Sequence, residues 1–252
     1  MSDIIKETMD EVWQIRRGTE LAPGGRKNPD NFHHYRKWGF TIYRTYYGKE
    51  SDKHWHALLY SLRHQTKLAF GAFEEEEEID QDDVRRIQEL FSLDVREESL
   101  LLDGLDVRGL REFCNAQKLK ESEIRETGYR ASTRPHESRA MADHLFDYVL
   151  LADEAVLKDI EKGISIVKAV SLSWYDGHSG YGWARISTGY LLELWTFLMW
   201  NKYRTEFCIS FRGSEEDLAD SVWPGDVALY CTGSCSEIRK WGYYRNQDDD
   251  MW

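Results

Sequence analysis

The stretch KWGFTIYRTYYG, residues 37–48, decides the expected fold, because it alternates like a buried strand and then changes character. From Trp38 to Ile42 every second residue is apolar, which is the period of one face of a β-strand. The next two positions on that face are Arg44 and Tyr46. A core-facing row that ends in a guanidinium and a phenol predicts a strand whose carboxyl end lies at a polar site.

An amphipathic helix is predicted directly after this strand, from apolar residues at i, i+3, i+4 and i+7: Trp55, Leu58, Leu59 and Leu62. Ser51 or Asp52 is its expected cap. The same period predicts further helices over residues 82–91 and 106–117. Residues 118–140 are charged and have no clear period, so we expect a mobile connection there.

In the C-terminal half, strands and helices alternate along the chain. Strands are predicted at residues 145–153, 164–174, 181–187, 206–212 and 226–231, and helices at 154–163 and 188–200. A further short helix, capped by Ser214, is expected between the last two strands. We therefore expect an α/β or mixed α+β fold, with a single central sheet and helices on its faces.

The length of 252 residues is that of one large domain with extensions. We expect an N-terminal helix and connector over residues 1–30, one α/β domain over 31–240 and an acidic tail over 241–252. The net charge is −12, but eight acids lie in residues 74–83 and three more in 248–250. The body of the chain is therefore nearly neutral, and no basic stripe for a nucleic acid is evident along the sequence.

The sequence also predicts where in the cell the protein is located. No apolar run approaches the roughly 18 residues of a membrane-spanning helix, and the start of the chain lacks the apolar segment of a secretory signal. We expect a soluble cytoplasmic protein that makes no membrane contact. Its cysteines are expected to be reduced structural thiols. No metal site is expected, because CTGSC (231–235) has no second Cys/His pair at zinc-site spacing. We also expect no cofactor.

Arg44 and Tyr46 are candidate substrate-binding residues, because open α/β sheets bind ligands beyond the carboxyl ends of their strands. The planar fork of an arginine suits a carboxylate or a phosphate. A structural ion pair is the alternative for Arg44. Asp153 and Glu154 also follow a predicted strand, and helix capping is their alternative.

Glu193 is the only charged residue in the predicted helix over 188–200. A buried carboxylate acts as a general acid or base, or anchors a cationic substrate. Tyr190 lies three residues earlier and shares its helix face. The alternative is an internal ion pair with one of three cations: Lys168, Lys202 or Arg204.

The loop WYDGHSGYGW (174–183) joins two predicted strands and contains four aromatic residues and three glycines. With Asp176, His178 and Trp183, this composition is typical of an aromatic lip over a ligand, although a plain hairpin has it too. The chain has no P-loop, dinucleotide-binding, nucleophile-elbow or zinc-protease motif. The common enzyme classes that carry those motifs therefore have no support here.

Four segments resemble, in this order, a large set of fungal proteins of similar length, which in turn resembles the fungal arginine-containing cyclodipeptide synthases. The segments are KWGFTIYRTYYG, YVLLADEAVLKDI, VKAVSLSW and GWARISTGYLLELW, and the similarity covers roughly residues 30–235. The resemblance implies a Rossmann-like sheet. It also implies an aminoacyl transferase that joins two aminoacyl groups, one of them from arginyl-tRNA, into a diketopiperazine without ATP.

The resemblance further implies roles for individual residues. Three acids would bind the substrate guanidinium: Asp153, Glu154 and Glu193. Thr45 or Ser51, near the end of the first strand, would be the hydroxyl nucleophile, and Tyr190 with Glu193 would transfer protons during ring closure. The chain lacks the G-x-S nucleophile signature of the bacterial synthases and spaces its Tyr and Glu differently.

Two other functions are compatible with the sequence. One is a different small-molecule enzyme of secondary metabolism, acting on a carboxylate or an amine. The other is a binding or interaction protein without catalytic activity, with the aromatic loop over residues 174–183 as its contact surface.

Overall fold

The computed structural model describes residues 2–15, 17–70, 80–126, 139–178, 180–201, 209–211, 213–223, 225, 236–237 and 239–240. The predicted strand at 226–231, the acidic run over 74–79 and the predicted tail at 241–252 lie outside these residues. Of the four cysteines, Cys114 lies within them and is a buried free thiol.

A five-stranded sheet lies at the centre, in the order β2-β1-β3-β4-β5. Its strands are β1 (Trp38–Arg44), β2 (Phe91–Arg96), β3 (Tyr148–Ala152), β4 (Ile166–Ser171) and β5 (Trp183–Ser187). The first three strands are parallel to one another, whereas β4 and β5 pair antiparallel. The predicted single sheet with helices is confirmed, but its mixed direction does not establish a Rossmann-like order.

The described helices are α1 (Ser2–Val12), α2 (Ser51–Ala69), α3 (Gln81–Leu90), α4 (Ser99–Leu102), α5 (Val107–Glu126), α6 (Ala142–Leu145), α7 (Glu154–Glu161), α8 (Leu191–Trp200) and α9 (Glu215–Leu218). Short 3₁₀ turns occupy Gly25–Lys27, Pro29–His34 and Thr188–Tyr190. Two small strand pairs complete the described part: β6 (Ile209–Ser210) with β8 (Ser236–Glu237), and β7 (Ser221–Val222) with β9 (Arg239–Lys240). The predicted cap of α9 is confirmed, because Ser214 and Asp217 form a reciprocal capping box.

Strand β2 is absent from the sequence prediction. The helical period predicts a helix that continues through Phe91, but α3 ends at Leu90 and the strand begins at the next residue. No Gly or Pro separates the two elements, so the usual boundary signal is missing. Residues 91–96 form a strand because they pair with β1 at the edge of the sheet, with Phe91 opposite Trp38.

Two further predictions are wrong. The predicted mobile connection begins too early, since α5 continues to Glu126. The expected cap of α2 is also wrong, because the capping position is Glu50, which has a left-handed backbone, and Ser51 is the first helical residue. Ser51 instead donates a hydrogen bond to the carbonyl oxygen of Gly48 at 2.6 Å.

The two faces of the sheet are covered by different helices. Tyr43, Leu151 and Lys168 are register partners across β1, β3 and β4, so their side chains share one face. The ring of Tyr43 contacts Phe113 of α5 at 6.3 Å, which places α5 on this face. We call it the α5 face.

The opposite face carries the other set of β1 side chains, including Phe40 and Arg44. Phe40 contacts Trp195 of α8 at 6.0 Å, edge to face. Helix α2 shares this face, since its Trp55 is fully buried and α2 packs against α8. We call it the α2 face, and Arg44 therefore lies on the other side of the sheet from Lys168.

The core extends beyond the predicted domain boundary at residue 31. Ile5, Met9 and Val12 of α1 belong to the same buried cluster as the sheet residues. Within the described residues, no helix is long and apolar enough to cross a membrane.

Candidate functional site

Arg44 ends β1 as a buried, structurally engaged guanidinium. Its Nε donates to the carbonyl oxygen of Tyr46 at 3.0 Å, and its Nη2 donates to Ser51 Oγ at 2.8 Å. The same nitrogen forms an ion pair with the exposed carboxylate of Asp52. The guanidinium carbon lies over the ring of Tyr47, 4.5 Å from its centroid. These contacts support the structural alternative for Arg44, and its substrate-binding role stays a prediction.

One of the two predicted nucleophiles, Ser51, lies in this same cluster. Ser51 Oγ accepts from Arg44 and donates to Gly48, and its side chain is buried. Thr45 is also buried, and its Oγ1 has no hydrogen-bond partner among the described residues. Tyr46 packs against Gly48, where an added Cβ would lie 2.1 Å from the phenol oxygen. Neither Thr45 nor Ser51 is among the lining residues of the cavity on the α5 face that is described below.

Tyr47, which the sequence analysis did not single out, completes this cluster. Its phenol donates to the carbonyl oxygen of Arg44 at 2.9 Å. Burial raises the pKa of Tyr47 to about 12, against the opposing influence of the Arg44 charge. The phenol therefore stays protonated and keeps this hydrogen bond throughout the physiological pH range.

A cavity of about 620 Å³ opens on the α5 face of the sheet, next to the carboxyl end of β3. Its charged lining consists of four acids and three cations: Asp106, Asp153, Asp176, Glu215, Arg108, Arg111 and Lys168. Aromatic rings complete it: Trp174, His178, Tyr181 and Trp183. The volume is in the range that holds a small organic ligand. We call it the Trp183 cavity.

The floor of the Trp183 cavity is an ion pair beside an indole. Asp153 Oδ2 accepts from Lys168 Nζ at 2.5 Å, and both side chains are largely buried. The Lys168 ammonium also lies 4.9 Å from the ring centroid of Trp183. Asp153 caps α7 through its other oxygen, which accepts from Val156 N. Asp153 therefore both caps α7, as the alternative predicted, and lines the Trp183 cavity.

Lys168 is positioned by its strand. It breaks the apolar row of β4 in the sequence, which is the one signal that points to it. Its register partner on β5, Arg185, is bound instead to Asp159 and to the carbonyl oxygen of Ala219. Lys168 therefore pairs with Asp153, whereas Glu193, for which this lysine was one alternative partner, lies in α8.

Arg111 of α5 forms one wall. It donates to the carbonyl oxygens of Ser171 at 2.9 Å and Tyr181 at 2.8 Å, and it stacks 4.6 Å from the ring centroid of Trp174. Burial lowers the pKa of Arg111, and the nearby charges of Glu215 and Asp176 partly oppose that effect. Arg111 was not predicted, because nothing in the helical pattern of α5 distinguishes it from a surface arginine.

The predicted aromatic loop forms the second wall and part of the rim. Asp176 and His178 form an isolated β-bridge, and the His178 ring lies 3.8 Å from that of Tyr175. The Nδ1 atom of His178 and the Nε1 atom of Trp174 are buried without a hydrogen-bond partner among the described residues. Such atoms are polar groups that a ligand is able to satisfy.

The rim is acidic and comes from separate parts of the chain. Asp106 precedes α5 and accepts from Gly109 N at 2.8 Å, while Asp176 lies in the loop. Glu215 begins α9 and accepts from the indole nitrogen of Trp183 at 3.2 Å. All three side chains are exposed. Glu215 was not predicted, since only the tertiary fold brings α9 to this opening.

The other predicted site residues lie elsewhere. Glu154 is exposed on α7 and forms an i,i+4 ion pair with Lys158 at 2.9 Å. Glu193 is half-buried in the first turn of α8, with its carboxylate against Gly225. Tyr190 is partly exposed in the preceding 3₁₀ turn. Of the predicted residues, the structure thus brings four together: Asp153, Asp176, His178 and Trp183.

Two of the proposed partners of Glu193, Lys202 and Arg204, lie outside the described residues. Among the residues that are described, no cluster of three or more His, Cys, Asp or Glu side chains has the arrangement of a metal site.

Replacing Arg44 tests whether its role is structural. We expect Arg44→Ala to lower the free energy of unfolding by about 2 kcal/mol, because charged hydrogen bonds in a buried setting are lost. Asp52→Ala should cost less than about 1 kcal/mol, since that carboxylate is mostly in water and screened. Urea unfolding measures both. Neither change should alter ligand binding in the Trp183 cavity, and a large loss of binding in Arg44→Ala at unchanged stability would favour the substrate role.

Comparison with known proteins adds no relative, because no family model, no curated protein and no solved structure matches this chain.

Proposed function

We propose that the chain is an aminoacyl transferase that forms an arginine-containing cyclic dipeptide, and that the Trp183 cavity binds the substrate guanidinium. The observation that carries the proposal is the acidic rim of the cavity, formed by Asp106, Asp176 and Glu215 beside the carboxyl end of β3. Carboxylates bind a guanidinium through paired, charged hydrogen bonds. The resemblance in sequence is the support for the reaction itself.

The charge balance of the cavity favours a cationic ligand. Lys168 is neutralised by Asp153, and Arg111 is held by two backbone carbonyls and an indole. Asp106, Asp176 and Glu215 then face two cations, Arg108 and Arg111, which leaves one net negative charge at the opening. A ligand with one positive group would therefore meet an excess of negative charge at the rim.

The proposed reaction balances without an energy-rich cofactor. A hydroxyl of the enzyme attacks the ester of one aminoacyl-tRNA, and the tRNA hydroxyl leaves. The α-amino group of the second aminoacyl-tRNA then attacks the enzyme ester and regenerates the hydroxyl. Finally, the free amino group attacks the remaining tRNA ester, so that two amide bonds replace two tRNA esters. The reaction is proposed for the cytoplasm, where charged tRNA is present.

Thr45 and Ser51 remain the proposed positions of the nucleophile, and Tyr190 with Glu193 remain the proposed proton-transfer pair. Among the described residues that line the cavity, Tyr181 has the only hydroxyl group, and it donates to the carbonyl oxygen of Gly213 at 3.2 Å.

The reaction is tested by mass spectrometry of extracts from bacteria that express the chain. We expect a new arginine-containing cyclic dipeptide, reduced at least about tenfold in the double variant Asp176→Asn/Glu215→Gln, because two rim carboxylates each contribute a charged hydrogen bond. The matched control is Glu20→Gln/Glu161→Gln, which removes two exposed carboxylates that do not line the cavity. This control should make as much product as the unchanged chain.

Ligand binding is tested separately by calorimetry with arginine methyl ester, which imitates the aminoacyl ester. Citrulline methyl ester is the control, since it has nearly the same shape without the charge. Binding of the arginine ester alone, lost in the rim variant, supports the cavity. Equal binding of both esters, or soluble folded protein that makes no cyclic dipeptide, would contradict the proposal and favour a different small-molecule enzyme or a binding protein.

A further inference from the structure

The exposed side of α2 carries cations and, beyond Asp52 in its first turn, no acidic residue. Residues 53–69 contain no Asp or Glu, although the whole chain has 45 of them. The same segment contains three cations and three of the eight histidines: Lys53, Arg63, Lys67, His54, His56 and His64. An acid-free segment of this length in an acidic protein is a local excess of positive charge.

Helix geometry gathers most of these side chains into one row. Trp55, Leu58 and Leu62 are fully buried, so the opposite side of α2 faces the solvent. At steps of three and four residues, that side presents Lys53, His56, Tyr60, Arg63 with His64, and Lys67. The row is about 21 Å long at 1.5 Å per residue. We call it the α2 stripe.

An exposed aromatic pair lies in the middle of the α2 stripe. Tyr60 is 68% exposed, although tyrosine rings are usually largely covered. Its ring stacks on that of His64, with centroids 5.4 Å apart and planes within 11°. A shallow groove of about 260 Å³ runs beside them and is bordered by Arg63 and Lys67.

We propose that the α2 stripe binds a nucleic-acid strand, with cations on the phosphates and the Tyr60–His64 pair as a platform for a base. Proteins that bind single strands combine these two features, because every base has a face that stacks and every phosphate is negative. Naming aminoacyl-tRNA as the strand met in the cell rests on the proposed function. The surface itself is argued from α2 alone.

A membrane surface fits this helix less well. Helices that lie on membranes insert an apolar face into the lipid, whereas the apolar face of α2 is packed against the sheet. An acidic protein segment would use the cations but not the exposed ring pair. Charge complementarity and the stacked rings together therefore favour a nucleic acid.

The test is fluorescence anisotropy with two labelled probes, a single-stranded 12-nucleotide oligouridine and unfractionated tRNA, at several salt concentrations. We expect the unchanged protein to bind both, with an affinity that falls as salt rises. Arg63→Ala/Lys67→Ala should bind at least about tenfold more weakly, with a log–log salt slope about 1.4 less steep for two lost contacts to a single strand. Tyr60→Ala should also bind about tenfold more weakly, but with an unchanged slope.

The matched control is Arg17→Ala/Lys162→Ala, which removes two exposed cations from other elements and should bind as the unchanged protein does. All of these positions are exposed, and circular dichroism verifies that each variant is folded. No RNA binding, or the same loss in the control as in Arg63→Ala/Lys67→Ala, would overturn the proposal. The proposal would also be overturned if Tyr60→Ala kept its full affinity for RNA and the unchanged protein bound heparin or anionic vesicles strongly. That result would identify a surface that binds polyanions in general.

Different results would contradict the proposed reaction and the proposed RNA binding by the α2 stripe. RNA binding that depends on the α2 stripe, in a protein that makes no cyclic dipeptide, would leave the stripe in place and contradict the reaction. Undiminished product from Arg63→Ala/Lys67→Ala, together with unchanged RNA binding, would contradict the stripe and leave the reaction in place.

Discussion

Gly39→Ala is expected to destabilise the protein by about 3–5 kcal/mol, from backbone strain and overpacking together. Gly39 lies in the central strand β1 with φ +132°, a backbone conformation that residues other than glycine rarely adopt. A Cβ at this position would lie 2.1 Å from the carbonyl oxygen of Ser92 on the neighbouring strand β2. The conflict is with backbone, so no side-chain rotation relieves it. Urea unfolding, or the yield of soluble protein, measures the loss.

Gly163→Ala is the matched control. Gly163 also has a left-handed backbone, with φ +80°, but a Cβ added there would have no described atom within 4 Å. We expect a loss of about 1–2 kcal/mol at this position, which is the cost of the backbone conformation alone. Equal losses at Gly39 and Gly163 would show that β1 and β2 are not in close contact at Gly39.

Trp195→Ala is expected to lower the free energy of unfolding by about 3–5 kcal/mol, the usual cost of removing a large buried aromatic side chain. Trp195 is fully buried on the α2 face of the sheet. Its ring contacts those of Trp38 at 5.1 Å, Phe40 at 6.0 Å and Phe146 at 5.1 Å. Since single domains are stable by about 5–15 kcal/mol, this one change removes a large part of the total. Thermal or urea unfolding, followed by circular dichroism, measures it.

Trp200→Ala on the same helix provides the comparison. Trp200 is only half-buried, and its indole nitrogen bonds to an exposed carboxylate, Glu7. We expect a loss of about 1 kcal/mol there. Trp195→Phe should cost less than half as much as Trp195→Ala, because its Nε1 has no hydrogen-bond partner among the described residues. A larger loss at Trp200 than at Trp195 would contradict this account of the core.

Periodicity predicted most of the sheet. Strands β1, β3, β4 and β5 lie where alternating or continuous apolar runs predicted them, α7 and α8 lie within their predicted segments, and α2 continues beyond the apolar residues that predicted it, to Ala69. Strand β2 was missed because a helix and a strand follow each other without a break in composition. Residues 91–96 form a strand because they can hydrogen-bond to the edge of β1, and that edge is available only in the folded protein.

The candidate site was only partly predictable. Asp153, Asp176, His178 and Trp183 were predicted and line the Trp183 cavity together. Arg44 was predicted for the same site, but it lies on the α2 face and is held by Ser51 and Asp52. Alternation along β1 identified Arg44 as unusual without showing which helix covers its face.

The sequence by itself determined the positions of β1, β3, β4 and β5, the buried face of α2 and the polar character of the strand ends. Each of these follows from neighbours in the chain, whose spacing sets the direction of a side chain. Only the tertiary structure decided that Arg111 and Glu215 meet Lys168 and Asp153 at one cavity, because those residues come from four separate elements. It also decided that the side of α2 opposite Trp55 and Leu62 stays exposed to solvent, since the described elements pack on its other side.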